Sequence, residues 1–553
     1  MIDRGIAARP ALPHNVPSME DALSERAADH LARRLYDAGC RHAFGMPGGE
    51  VLTLVDALER AGIAFHLAKH ENAAGFMAEG VHHHDGAPAI LVATVGPGVL
   101  NAVNVTENAR QDRVPLIVLS GCVDADEALT YTHQVLDQQA VFAPITKASF
   151  RLTAKGAGLI ADKAIRIATM PRCGPVHIDV PIGVAAAQAS GLPLPQPTPL
   201  PRTVPAPAAL KTARSWLAGA ERPLVVAGLD AVHDEAGPAL TALCEALRAP
   251  LVTTYKAKGL MPEDHPLALG GAGLSPLADE HLLPKVREAD VVLLAGYDPI
   301  EMRTGWRDPF SGSTKVIDLV AEPNRHDMHR ASLEIVAHVG ETLALLAEGL
   351  TPRDGPVWTG SHGLRAAFPS DDEWGPAGVI AECRAVLPRE TVATVDSGAH
   401  RILLSQMWEV PEARGLLQSS GLCTMGCAVP LAIGRKLAEP ARPVAAFTGD
   451  AGLLMVAGDL STASELGVAP IIVTFVDASL ALIEKKQRGM QLPNAGVDFA
   501  RHDYAGLARA LGGEGATVRS RPELRDALLA ALDADRFTLI ACEIEPGGYD
   551  GRI

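Results

Sequence analysis

Aromatic residues are scarce in this chain of 553 residues, at 4%, although 48% of the residues are hydrophobic. Small aliphatic side chains therefore have to form most of the core, which favours helices packed closely on sheets. The length exceeds what one hydrophobic core supports, so it predicts three or four domains of ordinary size.

Basic residues are fewer than acidic ones: the chain has 49 Lys and Arg and 65 Asp and Glu, which gives a formal net charge of −16. This balance argues against nucleic acid and anionic membranes as main partners, since both attract basic proteins. No apolar run approaches the roughly 20 residues of a membrane-spanning helix. The first 18 residues lack the apolar core of a signal peptide, and we expect a disordered tail there.

Paired cysteine motifs of the CxxC kind are absent, although the chain has eight cysteines. Scattered cysteines form neither a zinc cluster nor a redox motif. We expect them to be small core residues of a reduced, cytoplasmic protein.

Short hydrophobic strands alternate with helical patterns along the chain, which predicts βαβ units and parallel sheets. Seven prolines between Gly191 and Leu210 exclude a helix or an inner strand there and indicate a linker. We predict an α/β fold with three doubly wound parallel-sheet domains. The predicted segments are a tail at 1–18, domains at 19–184, 211–350 and 375–553, and linkers at 185–210 and 351–374.

Two acidic residues end two strand-like segments of the third predicted domain. Asp450 ends PVAAFTGD and Asp477 ends PIIVTFVD, 27 residues later. Ligands of open α/β sheets bind at the carboxyl ends of strands, where glycines and helix N-termini accommodate phosphate groups. Two oxygen ligands and a diphosphate are a usual way to hold Mg²⁺. Taken singly, each aspartate is better explained as a helix N-cap.

This GD(G/A) motif, followed about 27 residues later by Asn or Asp, resembles the signature of the thiamine-diphosphate enzyme superfamily. The resemblance implies that Asp450, Asp477 and the backbone carbonyl of Ser479 bind Mg²⁺. Asp477 stands where Asn is usual in the family, and Ala451 where Gly is usual, and neither change removes an oxygen ligand. The resemblance also implies cofactor contacts for the flanking residues Gly449, Ala451, Gly452, Leu480, Ala481 and Leu482.

The segment KHENAAGFMAEG, Lys69–Gly80, resembles the RHE-x-x-A segment of the same superfamily. In the family its Glu hydrogen-bonds the aminopyrimidine ring of the cofactor and promotes deprotonation of the thiazolium carbon, which then attacks a 2-oxo acid. Glu71 takes that position, where a buried carboxyl suits proton transfer. Considered alone, Glu71 would be a first-turn helix acid favoured by the dipole. We expect no such role for Glu79, and we expect His82–Asp85 to be a solvated helix end.

Three further segments resemble the turns that line the cofactor in the superfamily. They are FGMPGGEVL (Phe44–Leu52), TVGPGVLNAV (Thr94–Val103) and DSGAH (Asp396–His400). The last resembles the segment that binds the diphosphate in the family. Glycines allow the backbone of such turns to lie close to a ligand. The cofactor contacts that follow from this resemblance are Gly48, Gly96, Pro97, Asn101, Ala399 and His400.

The segment SSGLCTMGCAVPLAIG, Ser419–Gly434, resembles the part of the superfamily in which a Met wedges between the two cofactor rings. Met425 would be that wedge and keep the cofactor bent. Cys423 replaces a Gly whose backbone carbonyl binds the amine of the cofactor, and a carbonyl survives that change. A Met near the start of a helix is otherwise a core residue.

The segment THQVLDQQAVFAPITKASF, Thr132–Phe150, resembles the catabolic, flavin-independent acetolactate synthases, as does LLAGYDPIEMR, Leu293–Arg303. The flavin-dependent enzymes carry a different pattern in the middle domain, so the resemblance argues against FAD. It implies that Gln134 contacts pyruvate, which is decarboxylated and then ligated to a second 2-oxo acid. It also implies a homodimer or homotetramer with active sites between subunits.

Several features leave the substrate open. The catabolic synthases have a Lys where this chain has Glu50, and Lys485 and Lys486 either bind a substrate carboxylate or face solvent. The DQ-x-A-x-x-APITK run also resembles benzaldehyde lyase. A 2-oxo acid decarboxylase and a 2-hydroxyketone lyase or carboligase are therefore alternatives. The joint presence of Glu71 and the two aspartates argues against a homologue that has lost catalysis.

Overall fold

The computed structural model describes residues 25–189, 200–359, 363–370 and 374–553. These residues contain three six-stranded sheets in which all strand pairs are parallel. The predicted α/β fold with three doubly wound sheets is confirmed. The predicted tail at 1–18 lies outside the described residues.

The first domain contains the first sheet. Its strands are β1 (His42–Met46), β2 (Ala64–Leu67), β3 (Ala89–Ala93), β4 (Leu116–Cys122), β5 (Ala148–Arg151) and β6 (Val176–Pro181). Its helices are α1 (Ala27–Asp37), α2 (Leu52–Ala61), α3 (Glu71–Asp85), α4 (Pro97–Asn101), α5 (Val103–Gln111), α6 (Gln138–Phe142), α7 (Ala157–Thr169) and α8 (Ile182–Ala186). The strand order is β2-β1-β3-β4-β6-β5.

The second domain contains the second sheet. Its strands are β7 (Pro223–Ala227), β8 (Leu251–Thr254), β9 (Ala268–Ala272), β10 (Val291–Ala295), β11 (Lys315–Val320) and β12 (Leu333–Val336). Its helices are α9 (Pro207–Gly219), α10 (Leu229–His233), α11 (Gly237–Leu247), α12 (Pro276–Glu288) and α13 (Val339–Ala347), with the short α14 (Gly363–Ala366) after them. The order β12-β11-β10-β7-β8-β9 places the topological switch point between β7 and β10.

The third domain repeats the strand order of the first, as β14-β13-β15-β16-β18-β17. Its strands are β13 (Val392–Val395), β14 (Leu416–Gln418), β15 (Val444–Gly449), β16 (Ile471–Val476), β17 (Glu514–Val518) and β18 (Thr538–Glu543). Its helices are α15 (Pro376–Val386), α16 (Ala399–Met407), α17 (Ala428–Ala438), α18 (Asp450–Met455), α19 (Leu460–Leu466), α20 (Ala481–Gly489), α21 (Tyr504–Ala510) and α22 (Arg521–Leu532).

The inner strands are apolar on both faces because helices cover both. In β3 the buried side chains of Leu91 and Val92 belong to two different cores, on opposite sides of the first sheet. In β15, Ala446 and Phe447 likewise belong to two different cores, on opposite sides of the third sheet. This explains why these strands are continuous apolar runs in the sequence rather than alternating ones.

Helices α3 and α17 join the first domain to the third through a glycine contact. A Cβ atom on Gly434 would lie 1.9 Å from the carbonyl oxygen of Met77, and one on Gly80 would lie 2.3 Å from that of Leu431. The two backbones therefore approach more closely than any other residue type allows.

The two predicted linkers differ from each other in how much regular structure they contain. Residues 200–206 form no helix or strand, while 190–199 lie outside the described residues. The exclusion of a helix is wrong for 207–210, because α9 begins at Pro207, and proline is tolerated at the first position of a helix. In the second linker, α14 and the residues after it bury Leu364 and Phe368 in a core shared by the second and third domains. Among the described residues, no helix combines the length and the apolar character needed to cross a bilayer.

The expectation of a solvated end for α3 is wrong for its inner face. His82 is 4% exposed and Glu79 is 2% exposed, although His84 and Asp85 do face solvent. The cause is tertiary: α17 packs along α3, and Lys256 of the second domain approaches Glu79. Burial raises the pKa of Glu79 to about 8 and lowers that of His82 to about 3.

Candidate active site

A pocket of about 150 Å³ lies at the carboxyl edge of the third sheet. Asp450 follows β15 and Asp477 follows β16, and because these parallel strands are neighbours, both carboxylates emerge at the same edge. The pocket brings together predicted metal and cofactor residues from four chain segments. They are Ala399, His400, Met425, Gly449, Asp450, Ala451, Gly452, Asp477, Ser479, Leu480, Ala481 and Leu482.

The two aspartates are buried, at 2% exposure for Asp450 and 8% for Asp477. Asp450 accepts hydrogen bonds from the backbone N–H groups of Ala451 (2.9 Å) and Ala478 (2.8 Å). Burial and the neighbouring carboxylate of Asp450 raise the pKa of Asp477 to about 7. Two buried carboxylates that repel each other gain stability from a bound cation.

The ligand set available for that cation is small. Within the described residues, no cluster of three or more His, Cys, Asp and Glu side chains has metal-binding geometry. Oxygen atoms of backbone carbonyls, of water and of a bound anion are the remaining ligand types for such a cation. The carbonyl predicted for Ser479 is of the first type. The hydroxyl of Ser479 is also buried, and no described residue hydrogen-bonds it.

His400 and the glycines around it form a polar cradle in the same pocket. The His400 ring stacks on Phe475 with 5.3 Å between centroids, and its Nε2 finds no hydrogen-bond partner among the described residues. Burial lowers the pKa of His400 to about 3, so the ring is neutral. A Cβ on Gly452 would lie 1.9 Å from Oδ2 of the buried Asp396. An unpaired buried polar atom beside glycine backbone fits an anionic oxygen ligand.

Met425 lines this pocket and also a larger cavity of about 440 Å³ between the first and third domains. Cys423 lines the larger cavity, together with His70 and Asn104 of the first domain. Cys423 has a φ of 52°, in the left-handed region that favours glycine, and its Sγ donates to the carbonyl of Ser420 at 3.1 Å.

Glu71 lies in the first domain, at the start of α3, and is 4% exposed. Its Oε2 accepts a hydrogen bond from Nδ2 of Asn101 at 3.0 Å. Gly98 packs against the same carboxylate, where a Cβ would lie 2.9 Å from Oε1. Pro97 begins α4, the helix that carries Asn101.

Gly48, Gly96 and Gln134 lie near Glu71 at the carboxyl edge of the first sheet. A Cβ on Gly48 would lie 2.2 Å from Oγ1 of Thr94, and one on Gly96 would lie 3.0 Å from Gln134. Oγ1 of Thr94 donates to Oε2 of Glu50 at 2.7 Å. Gln134 itself is exposed and has a φ of 58°.

The structure does not bring the two groups of predicted residues into one pocket. Every residue that lines the pocket of Asp450 belongs to the third domain, and Glu71 and Gln134 are not among them. One chain therefore presents two separate groups of predicted site residues, one on the first sheet and one on the third, and each group is here called a half-site.

The sequence pattern does not identify Phe475 and Tyr549 as pocket residues. Phe475 is inside β16 and resembles any core aromatic, while Tyr549 comes from the chain terminus. Asp396 lies in a recognised motif, but only the structure shows its contact with Gly452. Lys485 donates to the terminal carbonyl of Ile553 at 2.8 Å, and Lys486 is exposed.

Comparison with known families identifies three matching segments. The N-terminal TPP binding domain of thiamine pyrophosphate enzymes matches residues 25–141. The central domain of these enzymes matches residues 210–346, and their C-terminal TPP binding domain matches residues 396–542.

Several named proteins are similar over almost the whole chain. A probable acetolactate synthase large subunit of Methanocaldococcus jannaschii is 30% identical over 94% of this chain and 92% of its own. Acetolactate synthase of Bacillus subtilis is 28% identical over 95% and 94%. A probable 2-ketoarginine decarboxylase of Pseudomonas aeruginosa is 31% identical over 94% of both chains.

A solved structure shares the fold. The thiamine diphosphate-dependent 4-hydroxybenzoylformate decarboxylase of Rhodococcus jostii superposes with a TM-score of 0.83 and 22% identity. The match covers 94% of this chain and 99% of that one.

Proposed function

Because the chain belongs to the thiamine pyrophosphate enzyme family, we propose that it decarboxylates a 2-oxo acid, with pyruvate favoured, and ligates the product to a second carbonyl compound. The chain is thus a thiamine-diphosphate-dependent enzyme of C–C bond chemistry, and the acetolactate synthase-like reaction is the proposed finer assignment. The observation that carries the cofactor dependence is the pair of buried carboxylates, Asp450 and Asp477, at one sheet edge. The similarity to acetolactate synthases over most of the chain supports the finer assignment.

Asp450, Asp477 and the carbonyl of Ser479 would hold Mg²⁺. His400 would donate a hydrogen bond to the diphosphate, beside Ala399, Gly449, Ala451, Gly452 and the backbone of Leu480, Ala481 and Leu482. Thiamine diphosphate, when bound, supplies the electron sink for the charge that decarboxylation leaves. Met425 would keep the cofactor bent.

Glu71 would exchange a proton with the aminopyrimidine end of the cofactor. Its carboxylate is withdrawn from water, and Asn101 orients it. The backbone of Gly48, Gly96, Pro97 and Cys423 would surround the ring, and Gln134 would contact the substrate. Oriented acid–base groups of this kind contribute roughly 10²–10⁴-fold to rate.

We infer that Glu71 acts on the cofactor held by a second copy of the chain. The reason is that Glu71 is absent from the pocket of its own chain's Asp450. Exposed apolar side chains also lie on the elements that carry both half-sites, as expected of an interface. They are Leu52, Leu100, Leu129, Leu454, Met455 and Ile483.

We also propose that the second domain holds no FAD. Dinucleotides bind such sheets in the crevice at the switch point, between β7 and β10. The guanidinium of Arg113, from the first domain, forms ion pairs there with Asp230 after β7 and Asp298 after β10. An absorbance spectrum of the purified protein without flavin bands is the expected result.

Decarboxylation without ligation is the second candidate, and Glu50 favours it. Glu50 lies in the half-site of Glu71 and forms no ion pair with any described cation. Its charge would repel a second anionic 2-oxo acid and would complement a donor with a cationic end. One relative that is 31% identical is named as a 2-ketoarginine decarboxylase.

Product analysis distinguishes the candidates. The protein with thiamine diphosphate and Mg²⁺ is given pyruvate or 2-ketoarginine, and CO₂, acetolactate and free aldehyde are measured. We expect acetolactate from pyruvate. CO₂ and free aldehyde without acetolactate would establish the second candidate, with Glu50→Gln reducing kcat/KM for 2-ketoarginine more than for pyruvate. No CO₂ from any 2-oxo acid would contradict both.

A further inference from the structure

The loop of residues 419–425, here called the Met425 loop, contains no helix or strand and carries both Cys423 and Met425. It lies where all three domains meet. Side chains of the first domain hold its backbone: the N–H groups of Ser420 and Gly421 donate to the two carboxylate oxygens of Asp112, at 3.0 and 2.9 Å. Asp112 follows α5 and is 1% exposed.

The second domain supplies the cation for this carboxylate. Nζ of Lys256 lies 2.8 Å from Oδ2 of Asp112. Burial alone would lower the pKa of Lys256, but the carboxylate of Asp112, joined by Glu79 when it is ionised, raises it above its ordinary value. Lys256 therefore stays charged where the domains meet.

The third domain holds the loop from its other side. Nη1 of Arg401, on α16, donates to the carbonyl of Ser419 at 2.8 Å, and Nη2 approaches Sγ of Cys423 at 3.3 Å. Glu301 of the second domain pairs with Arg401 at 2.6 Å. Burial opposes the charge of Arg401, but Glu301 raises its pKa.

Two asparagines on α5 complete the contacts. Oγ of Ser419 donates to Oδ1 of Asn108 at 2.5 Å, and Oγ1 of Thr424 donates to Oδ1 of Asn104 at 3.0 Å. Thus side chains on α5, and Asp112 just after it, hold both ends of the Met425 loop.

Such a cluster is a costly way to join domains, because buried ion pairs often stabilise a fold less than apolar packing of the same volume. Here its charged groups bond directly to the loop backbone. The loop also holds Cys423 in the left-handed region, a conformation that persists only where the surroundings fix it. The arrangement therefore holds the backbone of the loop in one shape.

We propose that Asp112, backed by Lys256, is a positioning residue that holds the Met425 loop in the shape that binds the thiamine end of the cofactor. This rests on the proposed function, which assigns Cys423 and Met425 to that end. The Mg²⁺–diphosphate end depends on Asp450 and Asp477, and of the loop only Met425 lines their pocket. The two ends should therefore respond differently when Asp112 is changed.

The test measures binding of two probes by isothermal titration calorimetry in the presence of Mg²⁺. Thiamine diphosphate engages both ends of the site, whereas inorganic diphosphate engages only the metal end. Asp112→Asn keeps the size of the side chain but removes its charge and one acceptor. We expect this variant to weaken the binding of thiamine diphosphate at least tenfold and to change the affinity for inorganic diphosphate less than twofold.

Asn104→Ala is the second variant, on an exposed position, for use if Asp112→Asn does not fold. It removes the acceptor for Thr424 and should weaken the binding of thiamine diphosphate about threefold, with the affinity for inorganic diphosphate unchanged. Arg113→Lys is the matched control, since Arg113 is buried at the same junction but pairs with Asp230 and Asp298. It should leave both affinities unchanged.

The proposal would be overturned if both folded variants bound thiamine diphosphate with wild-type affinity. It would also be overturned if the affinities for the two probes fell by the same factor. A wild-type protein that binds inorganic diphosphate but not thiamine diphosphate would instead contradict the proposed function, and with it the role given to the loop.

Discussion

Asp477 links cation binding to pH. A carboxyl group must lose its proton to bind a metal. The pKa of Asp477 is about 7 because burial and the neighbouring Asp450 disfavour its charged form. Mg²⁺ affinity should therefore rise with pH, by about tenfold per unit below 7, and level off above it. Calorimetric titration with Mg²⁺ between pH 5.5 and about 8.5 would measure this.

Asp477→Asn is the matched variant, since an amide keeps an oxygen ligand and removes the titrating group. It should bind Mg²⁺ more weakly than the wild type at pH 8, and its affinity should vary little with pH. A wild-type affinity that does not change with pH would contradict the role given to Asp477.

Individual residues differ in how far the sequence predicts them. Asp450 and Asp477 are predictable because each directly follows a strand, and neighbouring parallel strands end at one edge. Glu79 is not, because its burial comes from α17 and Lys256, which are distant in the chain. Asp112 is missed for the same reason, since its partners lie about 145 and 310 residues away.

At the scale of elements, the crossing of α3 and α17 fixes the first domain against the third. Gly434→Ala would place a Cβ into the carbonyl of Met77, so the helices would have to separate. We expect a loss of roughly 1–3 kcal/mol in the free energy of unfolding, or more. Urea unfolding followed by circular dichroism measures it.

Gly219→Ala is the control for this substitution. Gly219 also lies in a helix, but a Cβ there would have no heavy atom within 4 Å. It should be neutral or stabilising by up to about 1 kcal/mol, since alanine reduces the entropy of the unfolded chain. Equal unfolding midpoints for Gly434→Ala and the wild type would show that the helix contact is not tight.

Inner strands such as β3, β7 and β15 are predictable, because burial on both faces gives uninterrupted apolar runs. Edge strands are harder: β5 and β17 are short and half-exposed, and no apolar run marks them. Strand order is also beyond the sequence pattern. It depends on which helix covers which face, and the second sheet differs from the other two in this respect.

At the scale of the whole molecule, the separation of the half-sites predicts complementation between chains. A Glu71→Gln chain and an Asp450→Ala chain are each expected to be inactive alone. A mixed dimer would have one site with an intact Glu71 from one chain and an intact Asp450 from the other. Random mixing should restore about a quarter of wild-type activity, because half of the dimers are mixed and each has one good site of two.

Co-expression of differently tagged chains followed by tandem purification isolates the mixed species, which should have about half the wild-type activity per dimer. A mixed dimer as inactive as its parents would show that each site uses Glu71 and Asp450 from one chain.

Glu71 is proposed to activate thiamine diphosphate that is bound at Asp450 and Asp477. Exchange of the thiazolium C2 proton in D₂O tests it most directly, because this step needs no substrate. After acid quench, proton NMR should show exchange in the wild type at least about 100-fold faster than in Glu71→Gln, with cofactor affinity nearly unchanged. Equal exchange rates in the two proteins, both saturated with cofactor and Mg²⁺, would contradict the account.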